Sequence, residues 1–251
     1  MTVMAYLSLI LIFIVVIILF IIFKTVLKAF FKLFFYTFLI LFLASGVFGF
    51  LVYRDATDFK DKFTVSDNLL LLEDNGKILT GFVLHPGGEP SILTDQQLRE
   101  FTTYYNNNQY QDMIGSNYKM FIIKMSAFNT EGTVEYDGQQ LERKRLIDSL
   151  RSDDPAGTFL QGVPGPARNN MADAATVKVS FFVILYTNDL GTDPLKIIFS
   201  YKAGNIVIYP ETIMFKIIKY IPLDMVRSAG LLSENLYKQN ITGMLAWLGR
   251  L

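Results

Sequence analysis

The chain has 251 residues, with 23 Lys and Arg against 23 Asp and Glu, one histidine and no cysteine. The lack of cysteine excludes disulfides, thiolate catalysis and cysteine-held zinc or iron–sulfur centres. The charge is unevenly spread: residues 1–53 carry only Lys24, Lys28 and Lys32, so 54–251 holds 20 basic and 23 acidic residues, a net of −3. A mildly acidic domain without a basic stripe argues against nucleic acid as a partner.

Residues 1–23 and 33–53 are uncharged and dominated by Leu, Ile, Val and Phe. At about 1.5 Å per helical residue, each run can cross roughly 30 Å of hydrocarbon. A cleaved signal peptide fits poorly, because no basic residue precedes Lys24 and the apolar run exceeds the usual core of about 7–15 residues. The expectation is a transmembrane helical hairpin with helices over about 3–23 and 33–53. Residues 24–32 then connect them in the headgroup region, where Lys24, Lys28 and Lys32 snorkel to phosphates. Arg54 marks the far interface. The alternative is one helix of some 50 residues, about 75 Å long. It would hold its lysines near mid-membrane at about 2.5–3.5 kcal/mol each, and the hairpin is preferred. Ser45 and Gly49 have small-xxx-small spacing, which lets helices approach closely, first of all the other helix of the hairpin.

Orientation rests on weak signals. Lys24, Lys28 and Lys32 are matched in number by Arg54, Lys60 and Lys62, so the positive-inside rule is nearly balanced. The compact lysine cluster and the sequon at Asn240 favour both termini outside, and hence an extracytoplasmic domain. Neither apolar run contains an ionisable residue within its span, which argues against a pump or transporter core.

Residues 54–67 read as a linker and 68–251 as the folded domain. Asn75-Gly76 between two apolar runs predicts a hairpin of 69–73 with 77–84 through a type I′ turn. Thr94 and Gln97 form a capping-box pattern that opens a helix over 94–105. Residues 118–128 read as a strand buried on both faces, 132–136 as its partner, and 141–150 as a helix. The Ala-, Gly-, Pro- and Asn-rich stretch 152–176 reads as a mobile insertion. Residues 177–186, 195–201 and 206–209 read as three antiparallel strands, Pro210 as a first helical residue, and Ser233 as the cap of a last helix. The fold class expected is α+β, with an antiparallel sheet carrying helices on one face.

Candidate chemistry is thin. His85 lies in a Pro/Gly loop, but no serine fits a nucleophile-elbow pattern. Glu131, Glu135 and Asp137 cluster around one strand, and paired carboxylates at suitable spacing perform glycosidase chemistry. Asp148, Asp153 and Asp154 lack the pattern of a calcium loop. No catalytic, cofactor or metal site is expected. The best hint is Tyr104, Tyr105 and Tyr110 around an Asn-rich tip, a composition suited to contact with other polypeptides. The reading is a non-enzymatic, membrane-anchored protein that contacts lipid through its helices and another protein, or itself, through its domain. The alternative is a membrane-anchored extracytoplasmic hydrolase of glycan or lipid, using His85 or the Glu131–Asp137 cluster.

Overall fold

The computed structural model describes residues 2–63, 65–136, 138–161, 173–191, 194–220 and 222. Contacts divide the chain into two compact units, 1–53 and 54–251.

The first unit belongs to a single helix, α1 (Thr2–Phe63), of 62 residues. The expected two-helix hairpin is therefore corrected: residues 24–32 are helical throughout. The reason is local. The stretch contains no Gly, Pro, Asn or Asp to open a turn, and lysines at i, i+4 and i+8 form a stripe that a helix accommodates. Thr25 Oγ1 donates back to Ile21 O at 2.9 Å, so even this hydroxyl is satisfied within the helix. Residues 13–50 are exposed without exception. From Phe13 onward the helix is long and apolar enough to cross a membrane.

The second unit starts with the end of α1. Residues 54–63, expected to link anchor and fold, are helical, and Phe59 and Phe63 pack into the domain against Phe215 and Phe121, with ring centroids 5.2 and 5.7 Å apart. Beyond it lies a five-stranded sheet. Strands β1 (Asn68–Asp74) and β2 (Lys77–Leu84) form the predicted hairpin. Its turn residues Asn75 and Gly76 have φ of 52° and 81°, the left-handed values that Asn-Gly supplies most readily. The hairpin also needs a second glycine. A Cβ on Gly81 would stand 2.6 Å from Leu71 Cδ2 and 2.7 Å from Leu70 O.

After β3 (Ser91–Ile92), α2 (Asp95–Asn106) opens with the Thr94–Gln97 capping box fully formed. Then come α3 (Tyr110–Ile114) and β4 (Lys119–Lys124), which pairs parallel with β1. The sheet order is β3-β2-β1-β4-β7, where β7 (Ile206–Tyr209) runs antiparallel to β4. The sheet is thus mixed, not antiparallel. The clue is Leu69-Leu-Leu-Leu72, an unbroken apolar run typical of a strand covered on both faces. Leu69 and Leu71 point to one face and Leu70 and Leu72 to the other, as the pleat requires.

Helices consequently lie on both faces, which corrects the one-face expectation. On one side Leu98 of α2 and Met113 and Ile114 of α3 meet Leu69, Leu71, Met120 and Ile122. On the other side lie α4 (Arg143–Arg151), α6 (Ala174–Asp189), α7 (Pro194–Lys202) and α8 (Ile213–Ile218). Strand β5 (Thr133–Tyr136) pairs with β6 (Gln139–Glu142) in a separate two-stranded sheet. Within 152–176, residues Pro155–Phe159 form α5 and α6 starts at Ala174; residues 162–172 lie outside the described set, as do Ser233 and Asn240.

Two expected strands are helices. Residues 177–186 belong to α6 and 195–201 to α7. Their Val, Ile and Phe content favours strands intrinsically, but α6 lies where nearly every face is covered, with Val179, Phe182, Val183 and Leu185 wholly buried. A helix apolar all round has no amphipathic period to read. Its start is marked by Asp173, which accepts from Thr176 N at 3.0 Å. Pro210 precedes α8 rather than opening it, and Thr212 stands at the N-cap.

Candidate functional site

The sequence-predicted residues scatter. Lys24, Lys28, Lys32 and Arg54 are exposed along α1. Ser45 and Gly49 are exposed too, and a Cβ on Gly49 meets nothing within 4 Å, so the expected packing against a companion helix of the same chain is absent among the described residues. Glu131 is exposed in a turn and Glu135 is exposed on β5, while Asp137 lies outside the described residues. Asp148 pairs with Lys144 at 2.5 Å, and Asp154 caps α5 through Gly157 N at 2.9 Å. Among the described residues no three His, Cys, Asp or Glu gather as a metal site would need.

The tyrosines do meet, as a row. Tyr105 contacts Tyr110 edge-on at 6.2 Å, and Tyr110 leans on Tyr209 of β7 at 5.8 Å. Tyr104 stands apart, donating to Glu100 at 2.8 Å. Burial and the neighbouring Glu73 carboxylate push the Tyr105 phenol up to about 12.

His85 is better placed than its loop suggested. Its Nδ1 lies 2.8 Å from Asp67 Oδ1 and its Nε2 lies 2.8 Å from Ser91 Oγ. An ionised carboxylate only accepts, so Nδ1–H donates to Asp67, and in the neutral ring Nε2 accepts the Ser91 hydroxyl. That is the connectivity by which a base takes a proton from a serine. However, the array sits on an open surface, and neither of the two cavities below is lined by any of its members.

Two further features were not read from the sequence, beyond the singling out of Tyr110, which borders the second. The first is a polar corner beneath the end of α1. Lys119 is 1 % exposed, donates to Pro210 O at 2.7 Å, and lies between the rings of Tyr118 and Phe215. Burial lowers its pKa, an effect the nearby Asp55 and Asp58 oppose. Asp58 accepts from the Tyr118 hydroxyl at 3.0 Å, and Asp55 accepts from Met214 N at 2.7 Å. Asp55 thereby caps α8, whose own N-cap Thr212 makes no such bond.

The second is a groove of about 640 Å³ along β7. Among the described residues β7 has a hydrogen-bonded neighbour on one side only, β4. The groove is walled by Tyr110 and by Lys202, Lys216 and Lys219, with Glu211 as its single carboxylate. Glu211 is already engaged, by Lys219 and by the Tyr201 hydroxyl. Burial alone would raise its pKa, but these two partners outweigh burial and hold it below the usual carboxylate range. A smaller cavity of about 320 Å³ lies between α2 and the sheet, bordered by Leu69, Phe101 and Met113.

Comparison of the chain with protein-family models, with curated proteins and with solved structures gives no match.

Proposed function

We propose that this is an integral membrane protein whose α+β domain works by binding another polypeptide. The observation that carries the reading is α1: an uninterrupted helix, exposed from 13 to 50 and apolar there but for Lys24, Lys28 and Lys32, whose last residues pack into the domain at Phe59 and Phe63. Uncovered Leu, Ile and Phe on this scale demand lipid or protein. Residues 33–53 suit a single crossing, flanked by Lys32 on one side and Arg54 on the other. The apolar stretch before Lys24 then needs a second cover, lipid or a neighbouring chain; within the crossing, Ser45 and Gly49 offer a close-approach face for another helix. The lysine stripe is assigned to the cytoplasmic side and the domain to the extracytoplasmic side.

In-cell photo-crosslinking of the full chain, with the photoreactive residue placed at Phe42, tests this reading. Adducts with one defined protein, or with a second copy, are expected. A chain that remains uncrosslinked and monomeric in its membrane removes it. A reporter fused at the C-terminus tests orientation, and a cytoplasmic signal there reverses it.

The Asp67–His85–Ser91 array favours a second reading, hydrolysis with Ser91 as nucleophile. A fluorophosphonate probe that labels the chain, and labels neither Ser91→Ala nor His85→Ala, would establish it. No labelling eliminates it.

A further inference from the structure

We infer that the groove along β7 is the docking site, and that it takes an acidic, extended segment of a partner polypeptide as a sixth strand. This rests on the interaction reading above and names its surface and ligand chemistry. An edge strand presents a row of backbone N–H and C=O groups for pairing, and folded proteins usually guard such rows with charges, prolines or bulges within the strand. Strand β7 is Ile206-Val207-Ile208-Tyr209, with none of these devices inside it. Its lysines stand instead outside the strand, on or just past the flanking helices, where they border the groove.

The charge balance selects the ligand. Three lysines face one carboxylate, and that carboxylate is taken by Lys219 and Tyr201. Lys216 is exposed and makes no ion pair among the described residues. Lys202 donates to the carbonyls of Ile218 and Lys219 at 3.0 and 3.1 Å, so its charge is held in place at the groove wall. A strand laid beside β7 would gain main-chain hydrogen bonds for affinity, and acidic side chains on one of its faces would meet the ammonium groups for selectivity. The half-buried Tyr110 and Tyr209 supply apolar contact for its alternate residues.

The test uses the full chain in detergent micelles and a fluorescein-labelled octapeptide of alternating Glu and Val. Its counterpart of alternating Lys and Val serves as control. Saturable binding of the acidic peptide, in the range of about 10–100 µM for so few contacts, is expected, with none of the basic one. The double variant Lys216→Glu/Lys219→Glu should weaken binding by about tenfold or more, while Lys216→Arg/Lys219→Arg keeps it. Hydrogen exchange supplies the readout for strand addition: amides within 206–209 should slow when peptide is bound. Equal binding of both peptides, indifference to the charge-reversing pair, or binding without protection of 206–209 each overturns the proposal. So does charge-dependent capture of phosphatidylserine vesicles in place of the peptide, or occupation of the groove by the chain's own 223–251. If the peptide tests fail while adducts from Phe42 still form, the groove falls and the interaction reading stands. If those adducts are also missing from the unaltered chain, both fall.

Discussion

Two leucine-rich runs in this chain have opposite fates. Leu69 to Leu72 are 1, 5, 0 and 0 % exposed, whereas Leu39 to Leu43 are 40 to 66 % exposed. Composition does not separate them; context does. The first run is closed by a turn at Asn75-Gly76 and flanked by segments that cover both faces of its strand. The second lies in the stretch of helix, 13–50, that no described residue covers. The domain satisfies its apolar surface internally, and the rod leaves its own to the surroundings.

The sharpest way to break that contrast is to shave one aromatic ring from each. Phe182 is 0 % exposed and touches the rings of Phe82, Phe128 and Tyr186. Phe182→Ala should lower domain stability by about 3–5 kcal/mol, read as a shifted urea midpoint. Phe42→Ala should leave that midpoint unchanged, and a comparable drop there would mean the rod is part of the core.

Next in size is Gly81→Ala. The new methyl would meet both a leucine side chain and a backbone carbonyl, and a loss of about 1–3 kcal/mol is expected. The same substitution at Gly49 has open space around it and should be silent in denaturant melts of the domain.

At the boundary itself, Asp55→Ala removes the cap of α8. About 1 kcal/mol should be lost, with exchange at the Met214 amide rising more than exchange in β1. Unchanged protection at Met214 would mean the cap is dispensable.

The smallest effect is a pH dependence. The Tyr105 pKa is raised to about 12 in the folded state, against about 10 when unfolded. Its contribution is therefore fully present below pH 10 and is lost as pH rises from 10 through 12. Discounted for partial solvent screening, it amounts to about 1 kcal/mol. Tyr105→Phe should flatten the alkaline fall in stability by that amount, and an unaltered alkaline curve would reassign the fall to other groups.

What the sequence made legible was local chemistry. The Asn75-Gly76 turn and the Thr94–Gln97 box each fix backbone within four residues, and both stand as read. Pairings across many residues were hidden. His85 illustrates the reason. Counting straight back through the Asn-Gly turn sets Leu84 opposite Asp67, but a bulge between Leu72 and Glu73 shifts the register by one and brings His85 to Asp67 instead. A single inserted residue decides whether that histidine has a carboxylate partner. Helix α6 was hidden for another reason: burial on nearly all sides erases the period that tells helix from strand. Lys119 gave no signal at all, because a lone lysine in an apolar run reads as an edge residue.

The corner beneath α1 also sets an order of events during synthesis. Asp55 is joined to Met214 across 159 residues, Lys119 to Pro210 across 91, and Tyr118 to Asp58 across 60. At about 5–20 residues per second, Asp55 leaves the ribosome some 10–30 s before Met214 does. Through that interval the end of α1 has no α8 to close against, and Lys119 lacks the Pro210 carbonyl. The oldest part of the fold is thus completed by some of its youngest residues, and chains arrested short of position 214 should expose Phe59 to any chaperone or protease nearby.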